Sequence, residues 1–226
     1  MDARGRLLVI ALALTGFSMR TAVTSVGAVL EEIEHGLHTS SGISGVLTTL
    51  PVICFAGVGS IAPRMAARLG PHRLLVVALA MSAAGLVLRA LAGSVWLFLV
   101  LSLVALLGGA IANVLLPSLI KAHFPHRIGP MTAVYTTALA VGTTAGAGLT
   151  VPIGRLGDGW RLGIGSWALF VVVAVLPWLP TLRGERRAGA SGSRMPAGAL
   201  LRSRTAWVLT AFFAAQSMQA YIAFGW

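Results

Sequence analysis

Apolar residues run along this chain in long unbroken stretches that do not alternate with polar ones. Windows of about 19 apolar residues, bounded by charge or by Gly and Pro, fall at 7–30, 43–63, 74–92, 95–119, 130–152 and 162–180. A seventh starts near Thr205 and runs to Trp226. Backbone groups in lipid must be satisfied internally, so such segments are helices or strands of a closed barrel, and continuous runs select helices. The expected fold is all-α and polytopic: a six-helix bundle over 1–181, a basic linker over 182–204 rich in Gly, Ser and Arg, and a seventh membrane helix over 205–226. The run that follows Arg4 and Arg6 is too long for the core of a signal peptide and reads as a retained first span.

Composition agrees with the pattern. Of 226 residues, 57% are hydrophobic and 10% are charged, against about 25% charged in soluble domains. The formal charge of +11 would suit nucleic acid, yet only one of the 17 basic residues is a lysine and none forms a long run. Their placement explains them better. Arg4, Arg6, Arg64, Arg68, Arg73, Lys121, Arg127, Arg183, Arg186, Arg187, Arg194, Arg202 and Arg204 all fall on one side of the expected membrane. By the excess of basic residues on the inner side, the N-terminus is cytoplasmic in a multi-pass protein of the plasma (inner) membrane, with anionic headgroups as a minor partner. Glu31, Glu32 and Glu34 then lie outside in a loop with His35 and His38, whose spacing could grip a metal but reads better as solvated. Cys54, the single cysteine, reads as a packing residue.

Between the second and third runs stands Gly59-Ser-Ile-Ala-Pro-Arg64-Met-Ala-Ala-Arg68-Leu-Gly70-Pro-His-Arg73. This is similar to the loop signature of the major facilitator superfamily, although the usual loop aspartate is absent. Arg20-Thr-Ala-Val-Thr-Ser-Val-Gly27, Leu47-Thr-Thr-Leu-Pro-Val-Ile-Cys-Phe55, Asn113-Val-Leu-Leu-Pro-Ser-Leu-Ile-Lys121 with Phe124-Pro125, and Gln216-Ser217 with Tyr221 resemble the cyanate permease and nitroimidazole transporter branch of that superfamily. One departure is Thr21, where a proline commonly follows the arginine. The resemblance covers the whole chain but only the N-terminal half of such a carrier plus its seventh helix, so helices eight to twelve are expected to be missing. It implies two six-helix halves rocking about a site near the bilayer midplane, and a secondary active transporter for a small organic anion or polar molecule such as cyanate or a nitroimidazole. A truncated, non-transporting half is the other class. Within the half, laying the first run on the fourth with an offset of 93 residues pairs Gly16 with Gly109 and Arg20 with Asn113. A three-plus-three repeat of this kind predicts that both helices line the cavity.

Arg20 is the sharpest candidate contact. Thirteen residues past Leu7, it lies about 20 Å along a helix that crosses a core of roughly 30 Å. Placing a guanidinium there costs about 2.5 to 3.5 kcal/mol or more, and no Asp or Glu lies at that depth to pair with it. It either faces a watery cavity and holds a carboxylate-like group in its planar fork or clamps helix carbonyls. Asn113 lines the cavity or bonds a neighbouring helix. Tyr135, Gln216 and Gln219 are the remaining polar groups at depth. The loop residues Arg64, Arg68, Gly70 and Arg73 are expected to form a gate on helix ends. Arg89, near the end of the third run, is expected to reach the outer interface. Gly142, Gly146 and Gly148 in the fifth run are expected to serve close helix packing.

Every Asp, Glu and His falls in loops or at run ends, which leaves no buried acid–base or nucleophile pair for an enzyme. No phosphate-binding Gly-x-x-x-x-Gly-Lys loop is present either. The expectation is a carrier with no cofactor, with a small-molecule substrate and the lipid bilayer as partners, no nucleic acid, and a coupling ion left open.

Overall fold

The computed structural model describes residues 3–37, 41–184 and 203–224, and all of the regular structure among them is helical. The chain divides into two compact units, Met1–Arg187 and Ala188–Trp226. The first unit holds α1 (Ala3–Ala28), α2 (Leu30–Leu37), α3 (Ser41–Leu69), α4 (Pro71–Ala90), α5 (Val95–His123), α6 (Ile128–Gly154), α7 (Trp160–Gly165), α8 (Trp167–Val175) and a 3₁₀ helix at Leu176–Gly184. The second holds α9 (Arg204–Phe224). Most of the expected linker, 185–202, lies outside the described residues.

Each apolar run becomes a helix, and the breaks between them have local causes. Gly70 sits between α3 and α4 at φ 90°, a backbone region that side chains with a Cβ rarely adopt, and Pro71 then opens α4 where its missing N–H costs nothing. Ser94 opens α5 by accepting a hydrogen bond from the Leu97 N–H. Within α3, Pro63 cannot donate to the Gly59 carbonyl, and the helix bends by 55° between Gly45–Gly59 and Ile61–Leu69. Among the described residues, Gly5–Ala28, Pro71–Ala90, Val95–His123, Ile128–Gly154 and Trp160–Leu182 are long and apolar enough to cross a membrane, and bent α3 counts as a sixth when its two parts are taken as one span. Helix α9 is 21 residues long but is not among them. Gln216 and Gln219 lower its hydropathy.

The packing follows a scheme that an internal repeat would produce. Helix α1 packs mainly on α6, as α5 packs on α3; α5 also packs on α4, as α1 packs on α8. These pairs exchange when each of the first three spans is laid on its counterpart in the second three. Small residues permit the closest approaches: a Cβ on Gly142 would strike the Phe17 backbone, and one on Gly146 would strike Thr24. Gly148 faces open space instead, so it takes no part in that contact.

The core is apolar with a few indole anchors. Trp167 and Trp178 are fully buried, and their ring N–H groups donate to Thr150 Oγ1 and Thr15 Oγ1, both at 2.9 Å. At the end carrying the α3–α4 turn, the His72 and His123 rings meet edge to face with centroids 5.0 Å apart, beside Trp178. The other end has its own small core of Val29, Ile33, Leu47, Phe98, Trp160 and Ile164. Here the segment expected as a solvated loop is largely helix: α2 buries Ile33 and keeps Glu31 and Glu32 exposed at its positive N-terminus. His38 lies outside the described residues, among which no group of three metal-ligating side chains comes together. Arg161 donates to the Ala90 and Ala92 carbonyls, at 2.9 and 2.8 Å, and so caps the end of α4 while lying over the Trp160 ring.

Candidate functional site

Helix α1 is the most polar of the buried helices. Thr15, Ser18, Thr21 and Ser25 are all buried. Three of these satisfy their hydroxyls on α1 itself: Thr15 donates to Ala11 O, Ser18 to Thr15 O and Thr21 to Ser18 O, while half-buried Thr24 donates to Arg20 O. Polar side chains of this kind ask nothing of a ligand.

Arg20 is different. It is half-buried on α1 and lies within electrostatic range of Tyr135 on α6. Among the described residues, no hydrogen bond or ion pair holds its head group. Tyr135, itself buried, donates its hydroxyl to Asn113 Oδ1 on α5 at 2.6 Å. The Tyr135 backbone and ring pass so close to Gly16 that a Cβ there would lie 2.8 Å from the Tyr135 carbonyl oxygen. One turn further along α1 stands Arg20. Three separate helices thus bring together three of the expected contacts.

The chemistry of the cluster is complementary. With its carbonyl oxygen engaged by Tyr135, Asn113 keeps its amide N–H groups for another acceptor, and the Tyr135 oxygen keeps lone pairs for a donor. The guanidinium offers a planar fork of donors. The set suits a small group that carries negative charge or several acceptors.

The remaining expected residues do not join this cluster. Gln216 belongs to the second unit, where it is exposed on α9. Arg64 and Arg68 are exposed on the last turns of α3 and Arg73 on the first turn of α4, around buried Gly70, so the segment expected as a loop is helical on both sides of that glycine. Arg89 departs from its expected place. It is 1% exposed, points from α4 into α1, and donates through Nη1 to the Ala22 carbonyl at 3.1 Å and through Nη2 to Ser25 Oγ at 3.3 Å. The side chain turns inward because small residues on α1 leave room and an oxygen on each offers an acceptor. Sequence reasoning missed this clamp, since its signal lies on another helix: Ala22 and Ser25 are inconspicuous in α1 alone.

The model of the Major Facilitator Superfamily matches residues 10–226. The chain belongs to the major facilitator superfamily. This facilitator chain is 35% identical over 211 residues to an uncharacterized transporter, YycB, of Bacillus subtilis (strain 168), covering 93% of the chain and 52% of that protein. It is 32% identical over 230 residues to the 2-nitroimidazole transporter of Escherichia coli (strain K12), covering 100% of the chain and 58% of the relative. The cyanate transport protein CynX of the same organism is 27% identical over 206 residues, with 91% and 53% covered. A crystal structure of a D-xylose-proton symporter shares the fold, with a TM-score of 0.63 at 17% identity, over 97% of this chain and 54% of that one. The chain therefore spans about half the length of the curated relatives it matches. These relatives are transporters by name and not enzymes, and the facilitator chain is a multi-pass membrane protein.

Proposed function

We propose that the whole protein is a secondary active transporter that works by alternating access and carries a small organic anion or a polar small molecule. The observation that carries this reading is the unpartnered, half-buried Arg20 beside the Tyr135–Asn113 hydrogen bond. A guanidinium at membrane depth is costly unless it meets water or an anion, and among the described residues no acidic side chain pairs with it. In this reading Arg20 attracts and orients the substrate, and Asn113 and Tyr135 read its acceptors and donors. Gln216 is a separate candidate contact carried by the second unit, to be judged by its own Gln216→Ala variant.

Cyanate and 2-nitroimidazole, the cargos in the names of two relatives, are the first substrates to test. Both are small and rich in acceptors. Arg64, Arg68 and Arg73 flank the tight Gly70 turn, where they would engage helix C-termini in one state and release them in the other. The excess of basic residues around that turn and at the start of α1 supports an orientation with the N-terminus in the cytoplasm, in the plasma (inner) membrane.

The test is transport of each compound in proteoliposomes by the whole protein and by its Arg20→Ala and Arg20→Lys variants. Arg20→Ala should abolish transport while membrane insertion stays intact, and Arg20→Lys should restore only part of it because the planar fork is lost. Uptake unchanged by Arg20→Ala would remove Arg20 from the site.

A further inference from the structure

Beyond substrate transport, a second binding feature lies on another side of the six-helix unit. Helix α3 packs well on α5 but only sparsely on α4. Between the three runs a groove of about 370 Å³ lined only by apolar or sulfur-bearing residues, among them Ile53, Gly57, Ile61 and Met65 of α3, Met81 of α4 and Leu107 of α5. Its mouth is open: Ile53 and Ile61 are 61% and 53% exposed. Gly57 has nothing within 4 Å of the position a Cβ would take, so the groove is empty of protein in front of it.

We propose that this groove binds one acyl chain of an anionic phospholipid and that Arg68 holds the lipid phosphate. The lining stripe Cys54, Gly57, Val58, Ile61 and Met65 keeps helical spacing, and its next position is Arg68. Cys54, Gly57 and Val58 lie before the bend in α3 and Ile61 and Met65 after it, so the groove follows the bent helix toward the end that carries Arg68. The Arg68 guanidinium follows the last lining residue, Met65, by about one helical turn, so a charged head group and an apolar groove adjoin on one helix. Arg68 is exposed, and Arg64 and Arg73 add positive charge at the same end. An exposed apolar groove in a membrane helix bundle meets acyl chains as its solvent, and the basic cluster at its end selects among headgroups by charge.

The experiment is native mass spectrometry of the full chain released from vesicles of phosphatidylglycerol and phosphatidylcholine in equal amounts. The wild type should retain one phosphatidylglycerol in preference to phosphatidylcholine by about fivefold or more, the size expected of one arginine at an anionic surface. Arg68→Gln should remove the preference while leaving some neutral lipid bound. Gly57→Leu should fill the groove and remove the bound lipid of either kind, and Gly57→Ala, whose methyl meets no neighbour, should behave as the wild type. Arg68 is exposed on the surface, so its variant decides the question even where Gly57→Leu lowers the yield of folded protein. Wild type without a preference, or a preference that survives Arg68→Gln, would overturn the phosphate contact. Lipid retained by folded Gly57→Leu at wild-type level would overturn the groove.

Discussion

Arg20 and Arg89 both stand on membrane-spanning helices of the first unit, and they are opposites. Arg89 is fully buried and donates to two oxygens of α1, so its hydrogen-bonding is directed inside the protein. Arg20 is half-buried within electrostatic range of Tyr135, and among the described residues no hydrogen bond or ion pair holds its head group. The contrast teaches how a costly residue type is to be read. A guanidinium with two donors on oxygens of a neighbouring helix, as in Arg89, fixes two helices together even though its buried Nε finds no partner among the described residues; one with no such bond, in company with other unsaturated polar groups, has been kept for something outside the chain. The clamp also serves the site, because Ala22 is only two residues from Arg20 and its anchorage fixes how α1 presents that side chain.

The comparison can be broken by exchanging the expected effects. The largest belongs to Arg89→Ala, which empties a buried volume and leaves Ser25 unsupported; it should cost about 2 to 5 kcal/mol of stability, read as a lowered unfolding temperature in detergent. Arg20→Ala should leave that temperature within error and weaken substrate binding about a hundredfold, or about 2.7 kcal/mol, measured by equilibrium binding. Tyr135→Phe removes the hydroxyl that orders Asn113, and a tenfold loss of affinity, about 1.4 kcal/mol, is expected with the fold intact. Trp178→Phe keeps the ring and deletes its bond to Thr15; about 1 kcal/mol of stability should go, with affinity unaltered. A Tyr135→Phe variant that lost stability but kept affinity would place Tyr135 with the clamps.

Much of this was legible in the apolar pattern. Continuous runs bounded by Gly, Pro and charge place α1, α4, α5 and α6 to within a few residues, because in lipid the backbone has no alternative to helix. The run at 162–180 was legible as one span but not as the sequence α7, α8 and 3₁₀ helix, since the break at Ser166 leaves apolar residues on both sides. Helix α2 was obscured by its acids and histidine, although Val29, Ile33 and Leu37 at four-residue spacing carried the signal of a buried stripe. In the site, the rarity of Arg20, Asn113 and Tyr135 at depth singled them out, but that Tyr135 bonds Asn113 depends on how α5 and α6 are rotated against each other. Arg89 was misplaced for the same reason: its partners are set by packing between helices, which a local pattern does not contain.

The two arginines can be tested together by thermal unfolding of the wild type, Arg20→Ala and Arg89→Ala with and without saturating substrate, because a ligand that binds only the folded state raises the unfolding temperature. Arg20→Ala should unfold like the wild type without substrate and gain little at a concentration that saturates the wild type, whereas Arg89→Ala should start lower and still respond. A full substrate response in Arg20→Ala would remove Arg20 from the site.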